Sequence, residues 1–197
     1  MEQGTPSFVY EVLVTVVRSL GAIALVLFLV SRSGEPFGAF GLRRPRIVSD
    51  LLGGVGTFVL GMAGYYVTWY GLALLLGGHR TAVLARYDLT SLAPPSGTGS
   101  YALLAMMSIL NGMAEEMVMR AYLIRRFEQL FRSTFAALVV AAALFASYHS
   151  YQGSGGVISA AALGLVYGAV FCVFRRLWPL AVGHAIQDFI SLAMLER

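Results

Sequence analysis

Long, continuous runs of apolar residues dominate the chain, and polar residues collect in the short intervals between them. The runs show no alternation of apolar and polar positions, which argues against strands and excludes a transmembrane barrel. Each run is close to the roughly 20 residues that an α-helix needs to cross a bilayer. The pattern therefore predicts an all-α bundle of about six transmembrane helices, at residues 8–31, 51–77, 101–124, 134–150, 157–174 and 178–195.

Composition points to the same class of protein. Of the 197 residues, 58% are hydrophobic and 12% are charged, and the mean hydropathy is +0.74. Soluble domains carry roughly 25% charged residues, so this chain has too few charges to cover a water-exposed surface. We expect an integral membrane protein whose residues 1–197 form a single transmembrane domain, with the lipid bilayer as its principal partner.

The charges indicate an orientation in the membrane. All 14 basic residues are arginines and the net charge is +4, which we interpret as attraction to anionic lipid and not as nucleic-acid binding. Nine arginines fall in intervals 32–50, 125–133 and 175–177 on one predicted side of the bundle. The positive-inside rule makes that side cytoplasmic and places both termini on the non-cytoplasmic side. The opposite side carries only Arg80, Arg86 and Arg197.

A few positions are interpreted as packing or connecting features. Ala160, Gly164 and Gly168 recur every four residues, a spacing that lets two helix backbones approach closely. Cys172 is the single cysteine, so it cannot form an internal disulfide, and its apolar surroundings suggest a small buried side chain. Residues 78–100 contain proline, glycine and serine and are predicted to be an exposed loop.

Three groups of polar residues interrupt the apolar runs. A charge near the bilayer centre costs at least ~2.5 kcal/mol, so such residues should pair, face a cavity or perform chemistry. Arg18 also lies within a predicted span. The three groups are NGMAEEMVMRAYL with Glu115, Glu116 and Arg120, FASYH ending at His149, and HAIQD with His184 and Asp188.

Spacing in the first group separates its two carboxylates. Glu116 and Arg120 are four residues apart and can form an ion pair along one helix face. Glu115 points about 100° away and has no partner on its own helix. A carboxylate of that kind suits a general base, and Asn111, four residues earlier, could orient it. A purely structural role is the alternative, although two glutamates and one arginine do not balance in charge.

The two histidines in the predicted spans are interpreted together. A lone histidine in a helix is more often a hydrogen-bonded core residue than a catalyst. His184 differs because Asp188 lies one turn away and can fix its tautomer and raise its basicity. With His149 and the unpaired Glu115 in the same bundle, the pattern favours a functional site.

The motifs EEMVMR (115–120), FASYH (145–149) and HAIQD (184–188), in this order, resemble those of the CPBP family of CAAX proteases and bacteriocin-processing proteins, also called Abi. The motif-bearing part covers 101–195, about half of the chain. The stretches YLIRRFEQLF, LWPLAVGHA and FGLRRP are also similar to the family. The resemblance implies a bacterial inner-membrane protein.

The resemblance also implies an activity, that of a glutamate-dependent intramembrane endopeptidase without metal or other cofactor. Its substrate would be a membrane-associated peptide or protein tail that can carry a lipid. Position 188 departs from the asparagine of many members, and an ionised aspartate cannot donate to an oxyanion. It would orient a protonated His184 or be protonated itself. The roles implied are water activation by Glu115 with His149, oxyanion stabilisation by His184 with Asp188, and support from Glu116 and Arg120.

Other functions fit the same residues. Two histidines and two carboxylates could bind zinc, although the chain lacks an HExxH motif. Intramembrane acids and histidines also build proton relays and transporters, but these usually show repeated halves, and none is visible here. A non-catalytic protein of the bacteriocin-immunity type is a third possibility.

Overall fold

The computed structural model describes residues 7–84 and 92–195, and this part of the chain is helical without any strand. The predicted all-α fold is therefore confirmed. Short 3₁₀ turns occur at Phe37–Phe40 and His149–Gln152, and a π-helical segment covers Met117–Ile124. The α-helices are α1 (Phe8–Arg32), α2 (Ile47–Leu76), α3 (Gly78–Leu84), α4 (Thr98–Glu116), α5 (Arg125–Phe131), α6 (Thr134–Tyr148), α7 (Gly153–Phe174) and α8 (Trp178–Ala193).

Four helical stretches of the described residues are long and apolar enough to cross a membrane. The last of them is 41 residues long, which would extend about 60 Å if it were straight. It folds back at the 3₁₀ turn instead, because α6 and α7 pack antiparallel against each other. The stretches are Phe8–Arg32, Ile47–Leu76, Thr98–Phe131 and Thr134–Phe174.

Several predicted boundaries are wrong. Residues 78–100 are not wholly a loop, since α3 occupies their first part and α4 begins at Thr98. The interval 125–133 is largely helical, because the third helix continues through Phe131. Arg125 and Arg126 lower the hydropathy of this interval, but both pair with Glu35, so the helix does not have to end at these residues. Arg86 and Arg197 lie outside the described residues.

Ion pairs fasten the arginine-rich face of the bundle. Glu35, in the α1–α2 connection, pairs with both Arg125 and Arg126. The hydrogen bonds from Arg125, the largest contribution, lower the pKa of the Glu35 carboxyl to about 2. Glu128 forms two hydrogen bonds with Arg175, of 2.6 and 2.8 Å, and these raise the pKa of Arg175. The arginines predicted to set orientation also join the helix ends.

Small residues decide how closely the helices approach. The predicted packing role of Gly164 and Gly168 is confirmed: a Cβ at Gly164 would lie 3.2 Å from the Ala142 Cα, and one at Gly168 would clash with Leu138. Both neighbours belong to α6. A second set of contacts, in which α8 packs between α2 and α4, was not predicted from the sequence.

Helix α8 reaches its neighbours through three glycines. A Cβ at Gly183 would lie 2.8 Å from the Gly54 carbonyl oxygen, so α2 and α8 nearly touch backbone to backbone. A Cβ at Gly112 would lie 2.9 Å from the Ala185 nitrogen and 3.2 Å from the His184 Cβ. The close approach of α4 and α8 at Gly112 determines which side chains of α8 meet the carboxylates of α4.

We expect Gly54→Ala to destabilise the bundle by about 1–3 kcal/mol, as overpacking of a tight contact does. The added methyl would lie 2.5 Å from the Val182 Cβ and 3.3 Å from the Gly183 nitrogen, and neither can move freely. Gly71→Ala is the matched control, because it lies on the same helix with no atom within 4 Å. That variant should be neutral or up to about 1 kcal/mol more stable. Thermal unfolding in detergent measures both, and equal midpoints would contradict the predicted packing.

Candidate functional site

The buried ion pair predicted in the first motif is present. Glu116 is fully buried at the end of α4, and Arg120 is 2% exposed in the π-helical segment. The distance from Arg120 Nη1 to Glu116 Oε1 is 2.9 Å. π-Helical turns are rare and frequently occur at functional sites.

Aromatic rings surround the guanidinium of Arg120. Its Cζ lies 4.3 Å from the centroid of the Phe145 ring and 5.8 Å from that of Tyr167. Cation–π contacts of this kind gain strength when water is excluded. Phe145 is the first residue of the predicted FASYH motif, so the second motif contributes to the ion pair as well as supplying His149. Tyr167 was not predicted, and its hydroxyl donates to Gln187 Oε1 at 3.0 Å.

His184 lies between the two glutamates of α4. Its Nδ1 is 2.7 Å from Glu116 Oε1, and its Nε2 is 3.5 Å from Glu115 Oε2. Nε2 is also 3.5 Å from Asp188 Oδ1. The short partner of His184 is therefore Glu116 on another helix, and Asp188, the predicted partner, is the more distant one. The glycine contact between α4 and α8 brings this imidazole to the carboxylates.

Asn111 was predicted to orient Glu115, but the structure gives it a different partner. Its amide nitrogen donates to Asp188 Oδ2 at 2.9 Å. The face that Asn111 presents on α4 is the one against which α8 packs, so the nearest acceptor belongs to α8. Asp188 thus has an amide donor beside it.

His149 begins the 3₁₀ turn that joins α6 to α7. Its Nδ1 lies 2.8 Å from the Phe145 carbonyl oxygen. A carbonyl only accepts, so Nδ1 carries the proton and Nε2 is the nitrogen left for other partners. No hydrogen bond joins His149 to Glu115, although both line the same cavity.

All three motifs contribute to one cavity of about 590 Å³. From the predicted set it contains Glu115, His149, His184 and Asp188, while Glu116 and Arg120 lie behind His184. Glu115 Oε2 is buried and has no hydrogen-bond partner among the described residues. A carboxylate oxygen in this position can accept a proton from a molecule that enters the cavity.

Two cavity residues were missed by the sequence analysis as site residues. Arg18 of α1 lines the cavity and donates to the hydroxyl of Tyr148. The sequence marked Arg18 only as a charge within a span, and Tyr148 lies within the FASYH motif without a role assigned to it. No group of three His, Cys, Asp or Glu side chains within 7–84 and 92–195 is arranged to hold a metal ion.

Fold and site together define a helical membrane protein with a buried glutamate–arginine–histidine cluster beside a cavity that several polar side chains line. The family model described as Type II CAAX prenyl endopeptidase Rce1-like matches residues 97–190. This match confirms the resemblance that the motifs indicated. The matched part runs from the start of α4 into α8 and includes every predicted site residue. No curated protein and no solved structure matches the chain.

Proposed function

We propose that this protein hydrolyses a peptide bond near the C-terminus of a membrane-associated, prenylated peptide or protein, with Glu115 as the general base. The observation that carries the proposal is the unsatisfied Glu115 Oε2 in the cavity, 3.5 Å from a histidine that Glu116 holds. The family description supports a CAAX-type substrate, in which the prenylated cysteine is the fourth residue from the C-terminus.

Water activation is assigned to Glu115 and His149. A water between them gives its proton to Glu115, and its oxygen bonds to the scissile carbonyl carbon. His149 accepts a hydrogen bond from this water at Nε2, since Nδ1–H is held by the Phe145 carbonyl. When the C–N bond breaks, the proton on Glu115 passes to the leaving amine, which completes the hydrolysis.

Oxyanion stabilisation is assigned to the opposite wall of the cavity. His184 presents Nε2–H while Nδ1–H donates to Glu116, whose charge the Arg120 guanidinium balances. An imidazolium in this position is a donor for the tetrahedral oxyanion. Asn111 already donates to Asp188 and has a second amide hydrogen. Asn111 with Asp188 therefore supports the donor function that asparagine at position 188 would supply in relatives.

We also propose a topology of six crossings with both termini on the non-cytoplasmic side of a bacterial inner membrane. The six predicted apolar runs each coincide with one helix or helix pair of the structure, which supports this number. The arginines that pair with Glu35 and Glu128 lie at one end of the bundle, which supports a cytoplasmic assignment for that end. We propose that the whole chain forms one transmembrane domain.

The test is cleavage of a defined peptide by the purified protein in liposomes. We expect an S-farnesyl-cysteine peptide with three further residues to be cut after the cysteine. One ¹⁸O from labelled water should appear in the new carboxylate by mass spectrometry. Chelators such as EDTA and phenanthroline should leave the rate unchanged, since no step assigned here uses a metal. Loss of activity in chelator that zinc restores would show a metal-dependent mechanism, and proton flux without cleavage would indicate a relay.

A further inference from the structure

Arg18 is a cation within a membrane-spanning helix that lacks a carboxylate partner. Its guanidinium donates to the Tyr148 hydroxyl and lies 5.8 Å from the centroid of that ring. No acidic side chain among the described residues forms an ion pair with it. Arginines inside spans are costly and usually pair or mark a functional path. Arg18 therefore has unused capacity to bind an anion.

Arg18 lies beside the stretch of α4 that carries the proposed base. Above it, Val12 of α1 packs in one cluster with Met107 of α4. Below it, Val26 packs in another cluster with Met117. The two helices therefore run side by side in the same direction. The residues of α4 between these two contacts include Asn111 and Glu115.

Arg18 also lies at the cavity mouth. Its side chain is exposed at the surface of the bundle, yet it lines the cavity that contains Glu115, His149 and His184. A ligand that extends from the carboxylate wall toward the membrane would pass Arg18. The guanidinium has five N–H donors in a planar fork, which matches the two oxygens of a carboxylate.

We infer that Arg18 binds the free C-terminal carboxylate of the substrate and thereby sets the distance from the chain end to the scissile bond. This inference rests on the proposed function, because it concerns the substrate of the same site. Three extended residues after the prenylated cysteine span about 10 Å, so the carboxylate would lie about that far from the scissile bond. The carboxylate would also be a negatively charged partner for Arg18.

The experiment compares two farnesylated peptides that differ only at the C-terminus, one with a free acid and one with a neutral amide. The wild-type protein in liposomes should cut the acid with a kcat/KM about 10- to 100-fold higher than the amide, the range expected for a charged hydrogen bond. Arg18→Gln should lower cleavage of the acid to the level of the amide and leave the amide unchanged. Arg18→Lys should retain part of the preference. Arg32→Gln, on the same helix outside the cavity, is the control and should retain all of it.

The other outcomes separate this inference from the proposed function. Equal cleavage of acid and amide by the wild-type protein overturns the role of Arg18 and leaves the protease intact. An equal loss on both peptides in Arg18→Gln overturns it too, because Arg18 would then act on packing or on the charge of the cavity. If the wild-type protein cuts neither peptide, both proposals fail. The wild-type comparison stands even if Arg18→Gln does not fold.

Discussion

Replacing Glu115 with glutamine is expected to lower kcat for peptide cleavage by about 10²- to 10⁴-fold, the usual contribution of a general base. Glutamine retains the size of the side chain and its hydrogen-bonding capacity, but it cannot accept the proton of water. KM should change little, because Glu115 acts on the attacking water and not on the bound peptide. The farnesylated acid peptide in liposomes provides the assay.

The fold should survive this change. Glu115 has no short hydrogen bond to lose, since its distance to His184 is 3.5 Å and its Oε2 is unsatisfied. Glu11→Gln is the matched control, because Glu11 lies in the first turn of α1 and outside the cavity. It should retain wild-type activity. A Glu115→Gln variant with undiminished kcat would overturn the assignment of the base and direct attention to Asp188.

The sequence predicted the helices well because bilayer crossing imposes a strong and local pattern. Apolar runs of about 20 residues are required by the thickness of the membrane, and each predicted run lies on helix in the structure. The helix ends were harder to predict. Hydropathy falls at Arg125 and Arg126, yet the helix continues to Phe131, because Glu35 from a distant connection pairs with both.

The residues of the candidate site could be chosen from sequence, but most of their partners could not. The Glu116–Arg120 pair follows from helical spacing and is confirmed. The bond between Glu116 and His184 depends on how closely α4 and α8 approach, and that distance is set by Gly112. Interhelical contacts of this kind have no fixed spacing in the sequence.

Asn111 and Arg18 illustrate two further limits. Spacing correctly placed Asn111 near the carboxylates, yet the partner assigned to it was wrong, because its amide faces α8 and binds Asp188. Arg18 was recognised as an intramembrane charge without an assigned role. Only the packing of α1 beside α4 and the bond from Arg18 to Tyr148 bring it to the cavity, and no local pattern encodes these contacts.

Replacing Arg120 with methionine should destabilise the protein more than any other single change discussed, by about 3–5 kcal/mol, the typical cost of removing one partner of a buried ion pair. Methionine fills much of the same volume, so the loss is chiefly electrostatic. Glu116, which is fully buried, would be left with only His184 beside it. The cation–π contacts with Phe145 and Tyr167 would also disappear. Thermal or denaturant unfolding in micelles measures the effect.

A double-variant cycle tests whether the pair itself is responsible. The double variant Glu116→Gln/Arg120→Met contains neither buried charge. It should therefore be more stable than Arg120→Met alone, although it carries one substitution more. Arg80→Met is the control for loss of an arginine, since Arg80 is exposed on α3 and should change stability by no more than about 0.5 kcal/mol. If the double variant is less stable than Arg120→Met by the full cost of Glu116→Gln, the two effects are additive and the ion pair is not what holds α4 and the π-helical segment in place. If the double variant is instead more stable than the sum of the two single effects predicts, Arg120 holds Glu116 charged, as the proposed Nδ1–H bond of His184 requires.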